Sequence, residues 1–428
     1  MEQHPPQAER LSAVKGTRDI LVPEIHLWQQ IEATARRILV QACYQEIRTP
    51  ILEVTDLFVR GIGSATDVVG KEMFSFTTRG EQEVSLRPEN TAGVMRAYIQ
   101  HGLHSLGDVQ RLWYCGPMFR YERPQAGRQR QFHQLGVEVL GSPDPRADAE
   151  VIALAMELLQ TLGLGELTLL INSLGIPSDR LAYRQGLIDY LTPYVAELDA
   201  DSQTRLHRNP LRILDSKDPR TREIVAGAPT LLSHLSPESR HHFETVKDHL
   251  LGLGIPFQID PKLVRGLDYY THTAFEIQAP NDLGSQNTVC GGGRYDGLAQ
   301  ELGGQSTPAV GWALGMERLV LLLHKQMGDP VPPAPTVYVV AKGEGTATYS
   351  LRVAQTLRKE GIPTDLDLSG SAFNKQFKRA SRRGATWAVI IGDEEVTQDQ
   401  VQLKNLQTSE QITLSPITLA DYLKEKGA

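Results

Sequence analysis

The stretch that decides the fold covers residues 111–140 and reads Arg111-Leu-Trp-Tyr-Cys-Gly-Pro-Met-Phe-Arg120-Tyr-Glu122-Arg123-Pro124-Gln125-Ala-Gly127-Arg128-Gln-Arg130-Gln-Phe132-His-Gln134-Leu-Gly-Val-Glu138-Val-Leu140. Residues 112–114 favour a strand, and residues 134–140 alternate polar and apolar side chains as a half-buried strand does. Pro124 and Gly127 indicate a turn between these segments. The stretch therefore predicts two strands joined by a polar loop.

The middle of this predicted hairpin is rich in arginine. Planar guanidinium groups bind phosphate oxygens in pairs, so arginines on a rigid antiparallel platform suit a triphosphate. The alternative is a solvent-exposed basic hairpin, which has little need for Phe132 and Gln134 beside its arginines. The arginines in question are Arg120, Arg123, Arg128 and Arg130.

Several motifs resemble those of class II aminoacyl-tRNA synthetases. Phe-Arg120-Tyr-Glu122-Arg123-Pro resembles motif 2 of that class, residues 309–319 resemble motif 3, and residues 46–53 around Pro50 resemble motif 1. Two further segments resemble the peptides particular to the histidyl-tRNA synthetase family. These are Arg265-Gly-Leu-Asp-Tyr269-Tyr270-Thr and Gly291-Gly-Gly-Arg-Tyr295-Asp-Gly, and the resemblance extends from Lys15 to the C-terminus.

The length of 428 residues predicts two or three domains. The resemblance implies an α+β catalytic domain, residues 1–327, built on a mostly antiparallel sheet with a helical insertion at about 176–257. Helical, charge-mixed sequence in that range agrees with an insertion. Residues 328–335 read as a proline-rich linker. Residues 336–428 alternate short strands and helices, and the resemblance makes them an α/β anticodon-binding domain.

The composition narrows the classes of function. A net charge of −7 argues against a chain that coats nucleic acid along its length, so any RNA contact depends on local basic patches. The three cysteines lack the spacing of a disulfide framework or a zinc site, and we expect no metal site of that kind. The first ten residues lack the pattern of a signal peptide, and no apolar run is long enough to span a membrane. We therefore expect a cytoplasmic location and no membrane partner.

The resemblance implies ATP-dependent activation of L-histidine and transfer of the histidyl group to tRNA(His) in protein synthesis. Arg265 and Arg120 would be the catalytic arginines, because two anions must meet and positive charge must hold them. Mg²⁺ is expected with ATP, although the sequence indicates no definite ligand. The residues implied for ATP are Arg120, Glu122, Arg128, Phe132 and Arg318. Those implied for histidine are Glu89, Thr91, Gln134, Glu138, Tyr269, Tyr270 and Tyr295.

The segment Arg87-Pro-Glu89-Asn90-Thr91 places a carboxylate and a hydroxyl between a predicted strand and a predicted helix. This pair can hold an ammonium group, or it can simply cap the helix. The family usually has glycine where this chain has Asn90. If that glycine serves a positive φ, asparagine is the next most tolerant residue.

Recognition of the imidazole ring is predicted for Glu138 and Tyr270. Glu138 lies four residues beyond Gln134, so both side chains face the same side of the predicted strand. The carboxylate can accept from one ring N–H while the hydroxyl serves the other nitrogen. The alternative is that Glu138 pairs with an arginine and Tyr270 packs in the core.

The resemblance also implies RNA and protein partners. Motif 1 around Pro50 implies a homodimer, although the same residues suit an ordinary connection between a helix and an edge strand. The segment 374–383 is strongly basic and is either a solvated helix face or an anticodon contact. The residues predicted to bind tRNA are Arg123, Gln125, Lys375, Lys378, Arg379 and Arg382.

Two other functions compete with the ligase reading. The first is a catalytically silent relative that binds histidine and regulates its biosynthesis, but such chains tend to lose the regions that face tRNA. This chain keeps the insertion, the C-terminal domain and the arginines at 120, 265 and 318. The second is a nucleotide-binding RNA-binding protein without activation chemistry, which leaves the carboxylates and tyrosines without a role.

Overall fold

The chain folds into two compact units, Met1–Pro330 and Val331–Ala428. The structure is a computed structural model that describes residues 11–63, 66–107, 109–125, 127–208, 210–264, 266–280, 287–328, 330 and 334–427. Arg265 lies outside these residues, as does part of the predicted linker 328–335. The boundary between the two units falls within that linker, and the finer domain limits stay a prediction.

A large mixed sheet organises the first unit. The strands of this unit are β1 (Gln45–Glu46), β2 (Leu52–Val54), β3 (Phe74–Thr77), β4 (Glu83–Leu86), β5 (Gln110–Phe119), β6 (Gln131–Leu140), β7 (Thr168–Ser173), β8 (Gln258–Ile259), β9 (Thr271–Gln278), β10 (Thr288–Arg294) and β11 (Ala309–Gly315). Within the described residues, eight of them form one sheet in the order β1-β5-β6-β11-β10-β9-β7-β8. Only the outermost pairs, β1 with β5 and β7 with β8, are parallel. The mostly antiparallel sheet predicted from the sequence is confirmed.

The β5–β6 hairpin is longer than the sequence indicated. Its register runs from Gln110 opposite Leu140 to Phe119 opposite Gln131. Successive side chains of β6 point to opposite faces of the sheet, where two separate hydrophobic cores lie. Leu135 and Val137 belong to the core on the face that the helices cover. Tyr114, on the neighbouring strand β5, belongs to the second core, on the other face of the sheet. Gln134 and Glu138 share that second side and line the same cavity, as predicted.

Helices cover one face of this sheet and form the insertion. The helices are α1 (Ile25–Gln41), α2 (Thr55–Ile62), α3 (Thr91–Gln100), α4 (Pro145–Thr161), α5 (Pro177–Leu191), α6 (Ala200–Arg205), α7 (Pro219–Ala226), α8 (Pro237–Gly252), α9 (Leu298–Glu301) and α10 (Met316–Met327). Apolar residues of α1, α4 and α10 pack in the same core as β6. Between β7 and β8 the chain is helical, and part of this segment has a core of its own around Leu187 and Leu191.

The turn from β4 into α3 departs from one expectation. Asn90 has φ −118°, so this position needs no left-handed backbone. Its side-chain oxygen instead accepts from the Thr49 hydroxyl at 2.5 Å and from Arg87 Nη1 at 3.2 Å. The side chain thus connects the segment that resembles motif 1 to the start of α3. A physical role for asparagine here is hydrogen bonding, not tolerance of positive φ.

The second unit is an α/β domain, as predicted. Its elements are β12 (Val337–Ala341), α11 (Thr346–Lys359), β13 (Thr364–Leu366), α12 (Phe373–Arg382), β14 (Trp387–Ile391), α13 (Asp393–Gln398), β15 (Val401–Asn405), β16 (Gln411–Leu414) and α14 (Pro416–Glu425). Its sheet has the order β13-β12-β14-β15-β16, and the first three strands are parallel. The strands β15 and β16 add an antiparallel edge that the sequence patterns did not indicate.

Candidate active site

A cavity of about 350 Å³ opens on the face of the large sheet opposite α1 and α4. Every described residue that the resemblance implied for histidine or ATP lies on its wall. These residues are Glu89, Thr91, Arg120, Glu122, Arg128, Phe132, Gln134, Glu138, Tyr269, Tyr270, Tyr295 and Arg318. Only Phe132, Gln134 and Glu138 lie on a strand, β6; the others lie in loops at strand ends or in the first turns of α3 and α10. The sheet order β5-β6-β11-β10-β9 brings these segments together.

Glu89 and Gln134 supply acceptors on the cavity wall. The Glu89 carboxylate accepts from the backbone N–H of Thr91 at 2.6 Å and of Ala92 at 3.0 Å, so it does cap α3. A carboxylate has further lone pairs, so the capping leaves capacity for an ammonium group. The side-chain oxygen of Gln134 is buried and has no hydrogen-bond partner in the described part of the chain. A buried acceptor without a donor, in a cavity that the Glu89 carboxylate also lines, suits a positively charged donor.

Glu138 lies at the centre of a buried polar network. Its carboxylate accepts from the Thr91 hydroxyl at 2.7 Å and from the Tyr295 hydroxyl. The Tyr114 hydroxyl lies 3.5 Å away. Burial raises the pKa of Glu138 to about 8, although these hydroxyl donors oppose the shift. The carboxyl therefore gains and loses its proton near neutral pH. A hydrogen-bond donor on a bound ring can shift this equilibrium toward the ionised form.

Three tyrosines enclose the cavity near Glu138. Tyr269 and Tyr270 have ring centroids 4.7 Å apart, and Tyr295 is perpendicular to Tyr270 at 6.4 Å. All three rings are buried in the described chain. The prediction that Glu138 and Tyr270 serve the two ring nitrogens of histidine stays a prediction; of the three tyrosines, Tyr295 donates its hydroxyl to Glu138.

Glycine is required on the strand opposite Glu138. A Cβ atom at Gly311 would lie 1.9 Å from the Glu138 side-chain oxygen and 2.3 Å from the Val137 carbonyl oxygen. Such distances are far inside van der Waals contact, so any side chain here would displace the carboxylate. The glycine in the motif 3 segment thus provides the space that Glu138 occupies.

Arginine side chains line another part of the cavity. The Arg120 guanidinium lies 5.2 Å from the centroid of the Phe132 ring, and its Nε donates to the Pro88 carbonyl at 2.9 Å. Glu122 faces both Arg120, at 3.9 Å, and Arg128, at 3.2 Å. The Glu122 carboxylate holds both guanidinium groups in position on the hairpin. They can therefore bind phosphate oxygens with little rearrangement of their side chains.

Arg318 joins this group from the first turn of α10. Its Nη1 donates to the Thr288 carbonyl oxygen on β10. Burial is the main cause that lowers the pKa of Arg318, and the charge of Arg128 lowers it further. The positive charges of Arg128 and Arg318 repel each other, and an anion bound between them would relieve this repulsion.

Several residues on the cavity wall were not predicted as site residues from the sequence. Among them are Tyr114, Glu276, Thr288 and Glu317. Glu317 accepts from the backbone N–H of His133 at 2.9 Å and lies 2.9 Å from its ring Nδ1, which ties α10 to the hairpin. Only the position of Glu317 beside Arg318 in the motif 3 segment was a usable signal. The other three depend on strand register.

The residues predicted to bind tRNA lie outside the cavity. Arg123 and Gln125 are exposed on the hairpin loop. In the second unit, Lys375, Lys378 and Arg382 are exposed on α12. Arg379 differs from them, because its guanidinium forms an ion pair with Asp367 and donates to Ser371 at 3.0 Å. Arg379 is therefore committed to holding the loop before α12.

No cluster of three or more histidine, cysteine, aspartate or glutamate side chains fit for a metal ion occurs among the described residues. Within the same ranges, no helix has the length and apolar character needed to cross a bilayer.

Comparison with known proteins decides the family. The family model for histidyl-tRNA synthetase matches residues 16–319, and the model for an anticodon binding domain matches residues 336–426. The histidine–tRNA ligase of Synechococcus sp. (strain JA-3-3Ab) is 68% identical over 97% of this chain and 99% of its own length. The chain belongs to the histidyl-tRNA synthetase family. A second histidine–tRNA ligase, from Synechocystis sp. (strain ATCC 27184 / PCC 6803 / Kazusa), is 62% identical over 94% of this chain and 90% of its own length.

A solved histidyl-tRNA synthetase also matches the structure. The crystal structure of the apo S. aureus enzyme has a TM-score of 0.81 and 38% sequence identity, and the match covers 97% of this chain and 100% of that chain. The catalytic fold with a separate anticodon-binding domain is thereby confirmed. As the family model spans residues 16–319, it includes the whole described cavity wall.

Proposed function

We propose that the cavity joins L-histidine to ATP and that the chain then transfers the histidyl group to tRNA(His). The chain charges tRNA(His) with histidine in translation, and its family uses ATP. The observation that carries the site assignment is the shared wall. Acceptors fit for an ammonium group, a buried carboxyl fit for a ring N–H, and arginines fit for phosphates all line one cavity.

The first step is attack by a histidine carboxylate oxygen on the α-phosphorus of ATP, with pyrophosphate as the leaving group. Both reactants are anionic, so the enzyme has to align them and offset their charge; no protein nucleophile is needed. Arg120 would hold the α-phosphate and Arg128 the γ-phosphate. Phe132 would stack on adenine, and Glu122 and Arg318 would complete the nucleotide site. Arg265 is proposed to bridge the substrate carboxylate and the α-phosphate.

The histidine roles follow from the acceptors in the cavity. Glu89, Thr91 and Gln134 would receive the α-ammonium group, supported by the orphan oxygen of Gln134. Glu138 would accept from a ring N–H, and the three tyrosines would enclose the ring. In the second step a terminal ribose hydroxyl of tRNA attacks the activated carbonyl carbon, and AMP leaves.

Mg²⁺ fits this cavity as a partner of the nucleotide. Mg²⁺ commonly uses one or two carboxylates together with substrate phosphates, and keeps several waters. Glu122 and Glu276 are carboxylates on the cavity wall, with Arg128 beside the first and the Thr288 hydroxyl 2.7 Å from the second. These two residues would hold the ion, which supplies charge neutralisation for the leaving pyrophosphate.

A homodimer in the cytoplasm is also proposed. The segment that resembles motif 1 exposes Pro50, and Ile51, Leu52 and Val54 are each 42–43% exposed in the single chain. Neighbouring exposed apolar residues suit a protein interface. Sedimentation equilibrium at micromolar concentration tests this, because a monomer under those conditions would contradict it.

Charging of tRNA(His) with labelled histidine tests the proposed function against its rivals. The chain should attach histidine to tRNA(His) only when ATP is present. A regulatory relative would bind histidine without forming acid-precipitable histidyl-tRNA. A simple RNA-binding protein would bind tRNA without requiring histidine and would not charge it. Either result would overturn the proposal.

The second unit should matter for tRNA but not for activation. A fragment of residues 1–327 should keep histidine-dependent exchange of pyrophosphate into ATP, because it contains the whole cavity wall. Charging of tRNA should fall at least about tenfold, since loss of only about 1.4 kcal/mol of tRNA binding has that effect. The difference in charging rate between the fragment and the full chain should become smaller as the salt concentration increases. The contribution of the second unit depends on phosphate contacts, which weaken with salt. Equal charging by fragment and full chain would contradict an anticodon-binding role.

A further inference from the structure

The first turns of α5 and α8 are hydrogen-bonded to each other within the helical insertion. Asp179 on α5 accepts from the Ser236 backbone N–H at 3.1 Å and from the Ser239 hydroxyl at 2.5 Å. Both Asp179 and Ser239 are buried. We call this junction, together with Arg180 and His242, the insertion root. Its hydrogen bonds link the starts of the two helices, and buried hydrogen bonds of this kind restrain the groups that they join.

Arg180 reaches from the insertion root to the tyrosine segment. Its Nη1 donates to the Tyr270 carbonyl oxygen at 3.3 Å. Burial lowers the pKa of Arg180, while the nearby carboxylates of Asp268 and Glu301 oppose that shift. A partly buried guanidinium whose donor is on the Tyr270 backbone restrains where that residue lies.

His242 provides a second connection, to the strand that precedes Tyr295. Its Nε2 lies 3.4 Å from Asp148 Oδ1, and its ring stacks on His272 at 4.7 Å. Asp148 in turn forms a fully buried ion pair with Arg294, whose Nε is 3.2 Å from each carboxylate oxygen. Arg294 is the last residue of β10 and directly precedes Tyr295.

The contacts of Arg180 and His242 thus lead to Tyr270 and Tyr295, two of the tyrosines that line the proposed ring site. We propose that the insertion root positions Tyr270 and Tyr295 for histidine, so that Arg180 and His242 set the affinity for the amino acid without touching it. They are positioning residues, because they act through the Tyr270 backbone and through the Asp148–Arg294 pair. The proposal rests on the proposed function, in which Tyr269, Tyr270 and Tyr295 enclose the imidazole.

Pyrophosphate exchange by the full chain tests this proposal. Arg180→Ala should raise the KM for histidine about 5- to 10-fold, as loss of one charged hydrogen bond would. The KM for ATP should stay within about twofold, and Arg180→Lys should recover much of the histidine affinity. Arg184→Ala is the matched control. Arg184 lies one turn further along α5 and donates to the His207 carbonyl inside the insertion, so its loss should leave both constants unchanged.

A second variant tests the proposal independently in case Arg180→Ala does not fold. His242→Gln should raise the KM for histidine in the same direction, with the exposed neighbour His241→Gln as its control. A change of both constants in proportion, together with a lower melting temperature, would overturn the positioning role, as would unchanged kinetics. If Tyr270→Phe weakens histidine but Arg180→Ala and His242→Gln do not, only this inference fails. If the parent chain shows no histidine-dependent exchange, the proposed function fails with it.

Discussion

Replacing Arg120 with alanine should lower the rate of histidine activation on the order of 10²–10³-fold. The step brings a carboxylate to a triphosphate, and removal of one preorganised donor from such a transition state has effects of this size. The structure holds Arg120 in place through the Pro88 carbonyl and the Phe132 ring, so little reorganisation is needed when ATP arrives. The loss should lie mainly in kcat, measured by histidine-dependent pyrophosphate exchange.

Arg111→Ala is the matched control for Arg120→Ala. Arg111 lies on β5, the strand that leads to Arg120, but it pairs with Glu150 at 3.3 Å and does not line the cavity. Its removal should leave exchange within about twofold, since exposed ion pairs contribute little. Near-normal turnover by Arg120→Ala would remove it from the proposed phosphate site.

Glu138→Gln should reduce kcat/KM for histidine about 10- to 100-fold and leave the KM for ATP unchanged. Glu138 accepts a ring N–H in its ionised form, and a charged acceptor binds that donor more strongly than the neutral amide oxygen that replaces it. The same carboxylate should give selectivity, because an amino acid without a ring donor leaves this buried acceptor without the hydrogen bond from the ring. Glu157→Gln, on the exposed face of α4, serves as the control. Unchanged histidine affinity in Glu138→Gln and Tyr270→Phe would move ring recognition elsewhere in the cavity.

The pH dependence provides an independent check on Glu138. Burial raises the pKa of this carboxyl to about 8, so the group is mostly protonated at pH 7. A ring N–H is accepted by the ionised form, and histidine affinity should therefore increase about 8-fold between pH 7 and 8.5 as the carboxyl loses its proton. That range lies above the titration of the substrate ring. Glu138→Gln should lack this part of the pH dependence.

The sequence predicted the fold where its patterns are local. Alternation along residues 134–140 placed Gln134 and Glu138 on one side of a strand, and the sheet confirms this because side chains in a strand alternate strictly. The proline-rich stretch likewise marked the division between the units. The last two strands, β15 and β16, were missed, since short amphipathic strands carry a weak signal in the sequence.

The cavity wall was predicted by family resemblance, whereas its internal contacts were not. Nothing in local sequence pairs the Tyr295 hydroxyl with Glu138, since these residues meet only through the order of the strands β6, β11 and β10. The commitment of Arg379 to Asp367 was hidden for the same reason, because a basic helix in sequence looks the same whether an arginine is free or paired. The hydrogen-bonding role of Asn90 also depends on Thr49, 41 residues away.

The central claim is that one cavity binds histidine and ATP together and activates the amino acid. Exchange of labelled pyrophosphate into ATP, without tRNA and with each amino acid in turn, tests it most directly. We predict exchange that requires histidine, with other amino acids supporting it at least about 10⁴-fold less well in kcat/KM. Exchange that proceeds equally without histidine, or no exchange by a chain that binds both ligands, would contradict the account.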